Sequence, residues 1–155
     1  MDPKATIHVE DGKQELVITR ECELPLDFLF RAYAEPDLVR EWMGTKVLKL
    51  ESNTRGSYQF ETSATKGKVL FRANGVLHEF KTNQKITRTF EMENTPFGVQ
   101  REFYEFEQLT ADTSKLKMHV LYESAGQRDQ ALTIGLAQGI NMAHNRIQDI
   151  AGTLR

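Results

Sequence analysis

The side chains in this 155-residue chain that most often bind a metal or move a proton are four histidines, one cysteine and 22 carboxylates. None is spaced for that chemistry. His8, His78, His119 and His144 show no metal-ligand spacing, and Cys22 alone cannot form a thiolate cluster. His78-Glu79 lacks the second histidine four residues on that a zinc-protease helix needs, and there is neither a Gly-x-Ser-x-Gly elbow nor a phosphate-binding glycine loop. The sequence therefore predicts no catalytic residue, no metal site and no cofactor. The more informative groups are polar residues inside apolar stripes. Val76, His78 and Phe80 alternate onto one face of a strand, and Ile86, Arg88, Phe90 and Met92 onto one face of the next. If those faces look inward, His78 and Arg88 must be paired or meet a ligand. Otherwise they sit near strand ends, reach water, or pair with Glu102 or Glu105. Gly75 can supply a bulge that re-aims the residues after it.

Aromatic residues supply the second signal. Trp42, the sole tryptophan, ends a short helix, where its ring serves as a core or rim anchor or touches a ligand at a pocket mouth. Phe103 and Tyr104 are adjacent and must point to opposite faces. With Tyr58, Phe60, Phe71, Phe80, Phe90, Phe106 and Tyr122, the strand rings exceed what one face needs. They make either a core with a partly covered outer face or a ring-lined pocket suited to flat apolar ligands.

These residues need elements to hold them. "QELVITREC" alternates Leu16, Ile18 and Arg20 against Val17, Thr19 and Glu21, and "IHVE" extends it across the Asp11-Gly12 turn. Pro25 opens one short helix and Pro36 a second, which ends at Gly44. From residue 46 the period changes to two. Six strand candidates follow, separated by turns such as Lys81-Thr-Asn83 and Asn94-Thr-Pro96, which implies antiparallel neighbours. A helix then runs from about Arg128 to Leu154, with Leu132, Leu136, Ile140, Ala143, Ile147, Ile150 and Leu154 on one stripe. Gly135, Gly139, Met142 and Arg146 edge that stripe, while Gln138, Asn141 and Asn145 face away. Each mid-helix glycine costs roughly 1 kcal/mol against alanine, so the pair indicates close helix-to-sheet approach or space left for a guest. Arg146 can pair with a strand carboxylate or hold a ligand's acidic group.

Composition sets the outer bounds. Hydrophobic residues make up 39% and charged residues 27%, as in ordinary globular domains, and 155 residues suit a single domain over 1–155. A net charge of −2 and a pI near 6.1 argue against a nucleic-acid partner. No run approaches the ~20 apolar residues of a membrane span. The N-terminus has no secretory pattern and the lone cysteine fits a reducing compartment, so a cytoplasmic location is expected.

The order of one strand, two short helices, six strands and a long helix resembles the helix-grip fold of the SRPBCC superfamily, which includes START lipid-transfer and birch-pollen-allergen-like proteins. More closely it resembles the bacterial group named after the C-terminal domain of the activator of heat-shock-protein-90 ATPase. The residues carrying the likeness are "ITRECELPLDFLFRAYAEPDLVREWMG" (18–44), "VLFRANGVLHEFKTNQKITRTFEME" (69–93) and "RDQALTIGLAQGINMAHNRIQDIAGTL" (128–154). Leu24 stands where that group has an alanine, Met43 where a second tryptophan is common, and Leu136 and Ile140 where methionines are usual. The resemblance implies an α+β fold in which a seven-stranded curved antiparallel sheet wraps the C-terminal helix. It also implies a cavity between the two for a small apolar molecule of lipid, polyketide or aromatic type. On that reading Trp42, Phe60, Phe71, Met118, Tyr122, Gly139, Met142 and Ala143 contribute to the cavity, with His78 or Arg88 as polar handles. The alternatives are a co-chaperone-like module acting on heat-shock protein 90, and a cyclase- or hydrolase-type enzyme in the same cavity.

Overall fold

Alternation puts Leu16, Ile18, Arg20 and Cys22 of β2 (Glu15–Cys22) on one buried face, and the remaining strands carry that face across the sheet. The computed structural model describes residues 6–9, 13–43, 45–63, 69–95, 98–133 and 136–154; at 63, 69–71, 136–139, 153 and 154 it describes the backbone alone. The other strands are β1 (Thr6–Val9), β3 (Lys46–Leu50), β4 (Ser57–Ser63), β5 (Val69–Lys81), β6 (Lys85–Met92), β7 (Val99–Gln108) and β8 (Ser114–Leu121). They form one open antiparallel sheet in the order β1-β2-β8-β7-β6-β5-β4-β3. The expected α+β helix-grip architecture is present, with eight strands rather than seven among the described residues. "TIHV" does not prolong β2 but folds back as a separate strand, pairing Ile7 with Ile18 and Val9 with Leu16.

Turn chemistry matches the sequence. Asn83 (φ 60°) and Asn94 (φ 61°) occupy left-handed corners between strands, a region asparagine tolerates better than most side chains. Register shifts lie between Val47 and Lys49, between Thr62 and Ser63, and between Leu77 and Glu79. Such irregularities bend and twist a sheet locally.

α1 (Leu26–Ala34) and α2 (Pro36–Met43) cross from β2 to β3. Pro25 and Pro36 both precede or open a helix, where a missing N–H costs nothing. Carbonyls in the last turn of α1 have no partner within the helix. Trp42 Nε1 donates to the Ala32 carbonyl at 2.6 Å and Ser52 Oγ donates to that of Ala34. Trp42 thereby ties α2 to α1. The expected C-terminal helix is described on both sides of residues 134–135, as α3 (Ala125–Thr133), its first turn capped by Ser124 Oγ accepting from Gln127 N at 3.1 Å, and α4 (Leu136–Leu154). Ile134 and Gly135 lie outside the described residues, and with them the question that Gly135 raised.

α4 lies against the inner face of the sheet. Among its described side chains His144, Ile147 and Ala151 are buried, with Ile140, Ala143 and Ile150 half-buried. The main core gathers Leu24, Leu29, Phe30, Tyr33, Phe60, Leu116 and Ile147, and a second cluster under α3 joins Leu16, Ile18, Val120, Tyr122 and Ala131. Phe30 meets Phe80 and Phe106 edge-on at 5.3 and 5.0 Å, an arrangement worth about 1 kcal/mol per pair beyond area burial.

Candidate functional site

Two polar groups are built into the inner face. The first spans the gap between β2 and α4. Arg20, buried by its place in the β2 alternation, donates from Nη1 to the Asn141 carbonyl (3.1 Å) and from Nη2 to Asn145 Oδ1 (2.9 Å). Asn145 therefore does not simply face away as its helical position suggested; β2 supplies a guanidinium long enough to reach it. Beside this clamp, Tyr33 Oη lies 2.7 Å from His144 Nε2, and Cys22 Sγ lies 4.0 Å from His144 Nδ1. Burial, and secondarily the Arg20 charge, push the His144 imidazole down to about 3. Burial pushes the Cys22 thiol up to about 11 against a weaker opposite pull from Arg20, and lifts the Tyr33 phenol far above its ordinary range. At neutral pH the cluster is thus thiol, neutral imidazole and phenol. That combination is not an activated nucleophile, which needs a thiolate or a base that can accept its proton.

The second group sits across β6 and β7. Arg88 and Glu102 are direct cross-strand partners, and Arg88 Nε donates to Glu102 Oε1 at 2.7 Å. Arg88 Nη2 donates to Tyr104 Oη (2.8 Å), and Tyr104 Oη donates in turn to Glu102 Oε1 (2.7 Å). Gln100 Nε2 completes the set on Glu102 Oε2 at 2.6 Å. The guanidinium carbon lies 5.0 Å from the Tyr58 ring centre and 4.9 Å from that of Tyr104, within cation–π range of both. Burial disfavours the Arg88 charge, but the phenols and the Glu102 carboxylate outweigh it and hold the group firmly protonated. Each neighbour of Glu102 is a donor, the arrangement an ionised carboxylate requires.

Tyr58 reaches this position over Gly75, its partner on β5. A Cβ at Gly75 would run into the Thr89 carbonyl and come within 2.6 Å of Tyr58 Oη, so only glycine fits. Gly75 and Val76 have no paired residue on β6; Tyr58 Oη takes the Thr89 carbonyl and Thr89 Oγ1 takes Val76 N (3.0 Å).

Two open cavities are lined by described residues. A groove of about 350 Å³ between α2 and α4 is lined by Trp42, Met43, Met142, Ala143 and Arg146. Arg146 Nη1 donates to the Trp42 carbonyl at 3.3 Å, so it holds the end of α2 rather than a strand carboxylate. A second cavity of about 640 Å³ lies over Gly75, with Tyr58 and Thr89 joined by Ser57, Gln59, Asn74 and Glu91 among its lining.

The residues singled out from sequence distribute unevenly. Trp42, Met142 and Ala143 come together in the groove, Met142 at 62% exposure. Phe60 is buried against Tyr58 at 5.0 Å, and half-buried Met118 bridges the two core clusters, the second of which holds Tyr122. Arg88 faces inward and takes Glu102, one of its two candidate partners. His78 does not face inward. The register shift between Leu77 and Glu79 falls on it, so Leu77 is buried and His78 exposed, three residues beyond the glycine expected to cause the bulge. The Phe71 side chain and the surroundings of Gly139 lie outside what is described.

Comparison with known proteins now bears on this geometry. The family model described as activator of Hsp90 ATPase homolog 1-like protein matches residues 23–152. The chain belongs to that family. The chain also shares its fold with solved structures of low identity. A protein of Rhodobacter sphaeroides superposes with a TM-score of 0.82 at 15% identity, covering 97% of this chain and 100% of that one. One of Mycobacterium smegmatis gives 0.78 at 20% identity (97% and 95% covered), and one of Staphylococcus epidermidis 0.79 at 15% (95% and 94%). No curated protein matches the sequence. The family is of the SRPBCC helix-grip type, a ligand-binding kind of fold. No helix among the described residues is long and apolar enough to cross a membrane.

Sequence reasoning missed Tyr33, Cys22 and His144 as a cluster. One signal was present: His144 lies three residues before Ile147, on the same helical stripe, where a polar residue requires a partner.

Proposed function

We propose that the chain binds a small, largely apolar molecule between the inner face of the sheet and α4, with the Trp42–Met142 groove as its outer rim. One observation carries this reading. Arg88 stands in the middle of an apolar sheet face, and its side chain keeps 12% of its surface accessible. Among the described residues its Nη1 has no hydrogen-bond partner, and it is not sealed from solvent as the unpaired Thr87 and Ser114 hydroxyls are. Inward-facing Phe90 and Met118 nearby are half-buried as well. A charged donor beside incompletely covered apolar walls is the composition of a ligand site. The neutral state of Cys22 and His144 favours binding over a cyclase- or hydrolase-type reaction.

Native mass spectrometry of the purified protein tests this directly, together with a thermal-shift screen of neutral apolar molecules. At a hundredfold excess over Kd a ligand stabilises by about 2.7 kcal/mol, a rise of roughly 5–10 °C for a chain of this size. No bound mass and no rise with any compound would overturn the proposal. The family's description supports a second reading, a module acting on Hsp90. Stimulation of the chaperone's ATPase by this chain would support it, and its absence would dismiss it.

A further inference from the structure

The Arg88–Glu102 pair restricts which ligand the site accepts, an inference that rests on the binding proposal above. Two of the three guanidinium nitrogens are committed, Nε to Glu102 and Nη2 to Tyr104. The Tyr58 and Tyr104 rings lie close to the guanidinium and limit its reorientation. What remains for a guest is one unbonded nitrogen, Nη1 with its two N–H groups, on the same strand face as half-buried Phe90. Glu102 already neutralises the Arg88 charge, and Tyr104 and Gln100 hold it in place from both oxygens. A carboxylate ligand would therefore add a second negative charge a few ångströms from Glu102, out of water, where such a charge has no compensation. The other buried guanidiniums among the described residues are committed elsewhere: Arg20, three strands away (roughly 14 Å at ~4.8 Å per strand), is bonded to α4, and Arg128 on α3 is bonded to Asp129.

We propose that the ligand carries an uncharged hydrogen-bond acceptor, of the ketone, quinone or ester kind, on an otherwise apolar body, received by Arg88 Nη1, and that Glu102 selects against carboxylates. The site then reads one oxygen and rejects anions of the same shape.

Three naphthalenes of matched size separate the contributions: 2-acetonaphthone (acceptor, neutral), 2-ethylnaphthalene (no acceptor) and 2-naphthoate (anion), with Kd measured by equilibrium dialysis. In the wild-type chain 2-acetonaphthone binds tightest, about tenfold over 2-ethylnaphthalene, as one charge-assisted hydrogen bond gives. 2-Naphthoate binds weakest. In Glu102→Gln the Arg88 charge is released and 2-naphthoate overtakes 2-acetonaphthone; in Arg88→Met the acetyl and ethyl compounds become equal. Equal wild-type binding of acetyl and ethyl compounds, or a wild-type preference for 2-naphthoate, overturns the proposal while leaving the binding site standing. No binding of any of the three, with no bound mass in the purified protein, overturns the binding reading itself. If Glu102→Gln does not fold, the wild-type order and Arg88→Met decide.

Discussion

Tyr33 Oη and His144 Nε2 lie 2.7 Å apart, with their rings nearly perpendicular at 84°, so a phenol from α1 fixes the one imidazole that α4 buries. In the folded chain that imidazole is held neutral, its pKa pushed down to about 3, whereas unfolded it titrates near 6.5. The unfolded state therefore takes up the proton first. Stability is intact above about pH 6.5 and declines as pH falls toward 3, by up to ~1.4 kcal/mol per unit. Moving from about pH 7.5 to about pH 5 removes about 2 kcal/mol through this residue alone. Urea unfolding of wild type and His144→Gln at both pH values checks it. The variant should lose about 2 kcal/mol less across the interval, and equal losses would mean that His144 is not held neutral.

Cys22 should be chemically silent in the native state. It is 1% exposed and its thiol is pushed up to about 11, so neither access nor thiolate is available at about pH 8. A disulfide reagent should label one thiol per chain in denaturant and almost none without it. Fast native labelling would contradict the burial of the Tyr33–His144–Cys22 cluster.

Arg88 and Glu102 should couple strongly. Removing either partner leaves a buried charge and costs about 3–5 kcal/mol, whereas replacing both with apolar residues of similar volume is close to neutral. Denaturant melts of Arg88→Met, Glu102→Leu and the double variant complete the cycle. Additive losses would mean that the two residues are stabilised independently.

Gly75→Ala should destabilise by at least about 2 kcal/mol, because its Cβ meets the Thr89 carbonyl as well as Tyr58. The backbone collision persists when the hydroxyl is gone, so Tyr58→Phe should not rescue it. Full rescue would show that the side chain alone sets the requirement for glycine.

Met142 provides a contrast between stability and binding. At 62% exposure, Met142→Asp should change stability by no more than about 0.5 kcal/mol. If the groove is the rim of the site, the same change should weaken binding of 2-acetonaphthone several-fold, measured by dialysis. Unchanged affinity would remove Met142 from the site.

Much of the architecture was legible because local signals agreed with it: period two from residue 46, Pro25 and Pro36 at helix starts, and asparagines at left-handed corners. The inward aim of Arg88 followed from Ile86 and Phe90 on the same face. Its choice of Glu102 over Glu105 did not, because cross-strand register depends on how each turn closes. His78 failed for a related reason: one extra residue in β5 reverses every facing beyond it. The reach of Arg20 to Asn145 arises from tertiary packing, which a hydrophobic period does not encode.

The interruption opposite Gly75 and Val76 has a mechanical meaning. Over those two residues the β5–β6 backbone ladder lapses: Thr89 Oγ1 accepts from Val76 N, and Tyr58 reaches from β4 past Gly75 to the Thr89 carbonyl on β6. The ladder resumes on either side, so the gap is a local slit in one continuous sheet, and Tyr58 is a stitch across it whose ring also leans on Arg88. If a guest displaces the guanidinium, Tyr58 would carry that displacement to the slit, and the expected readout is altered amide exchange at exposed Val76.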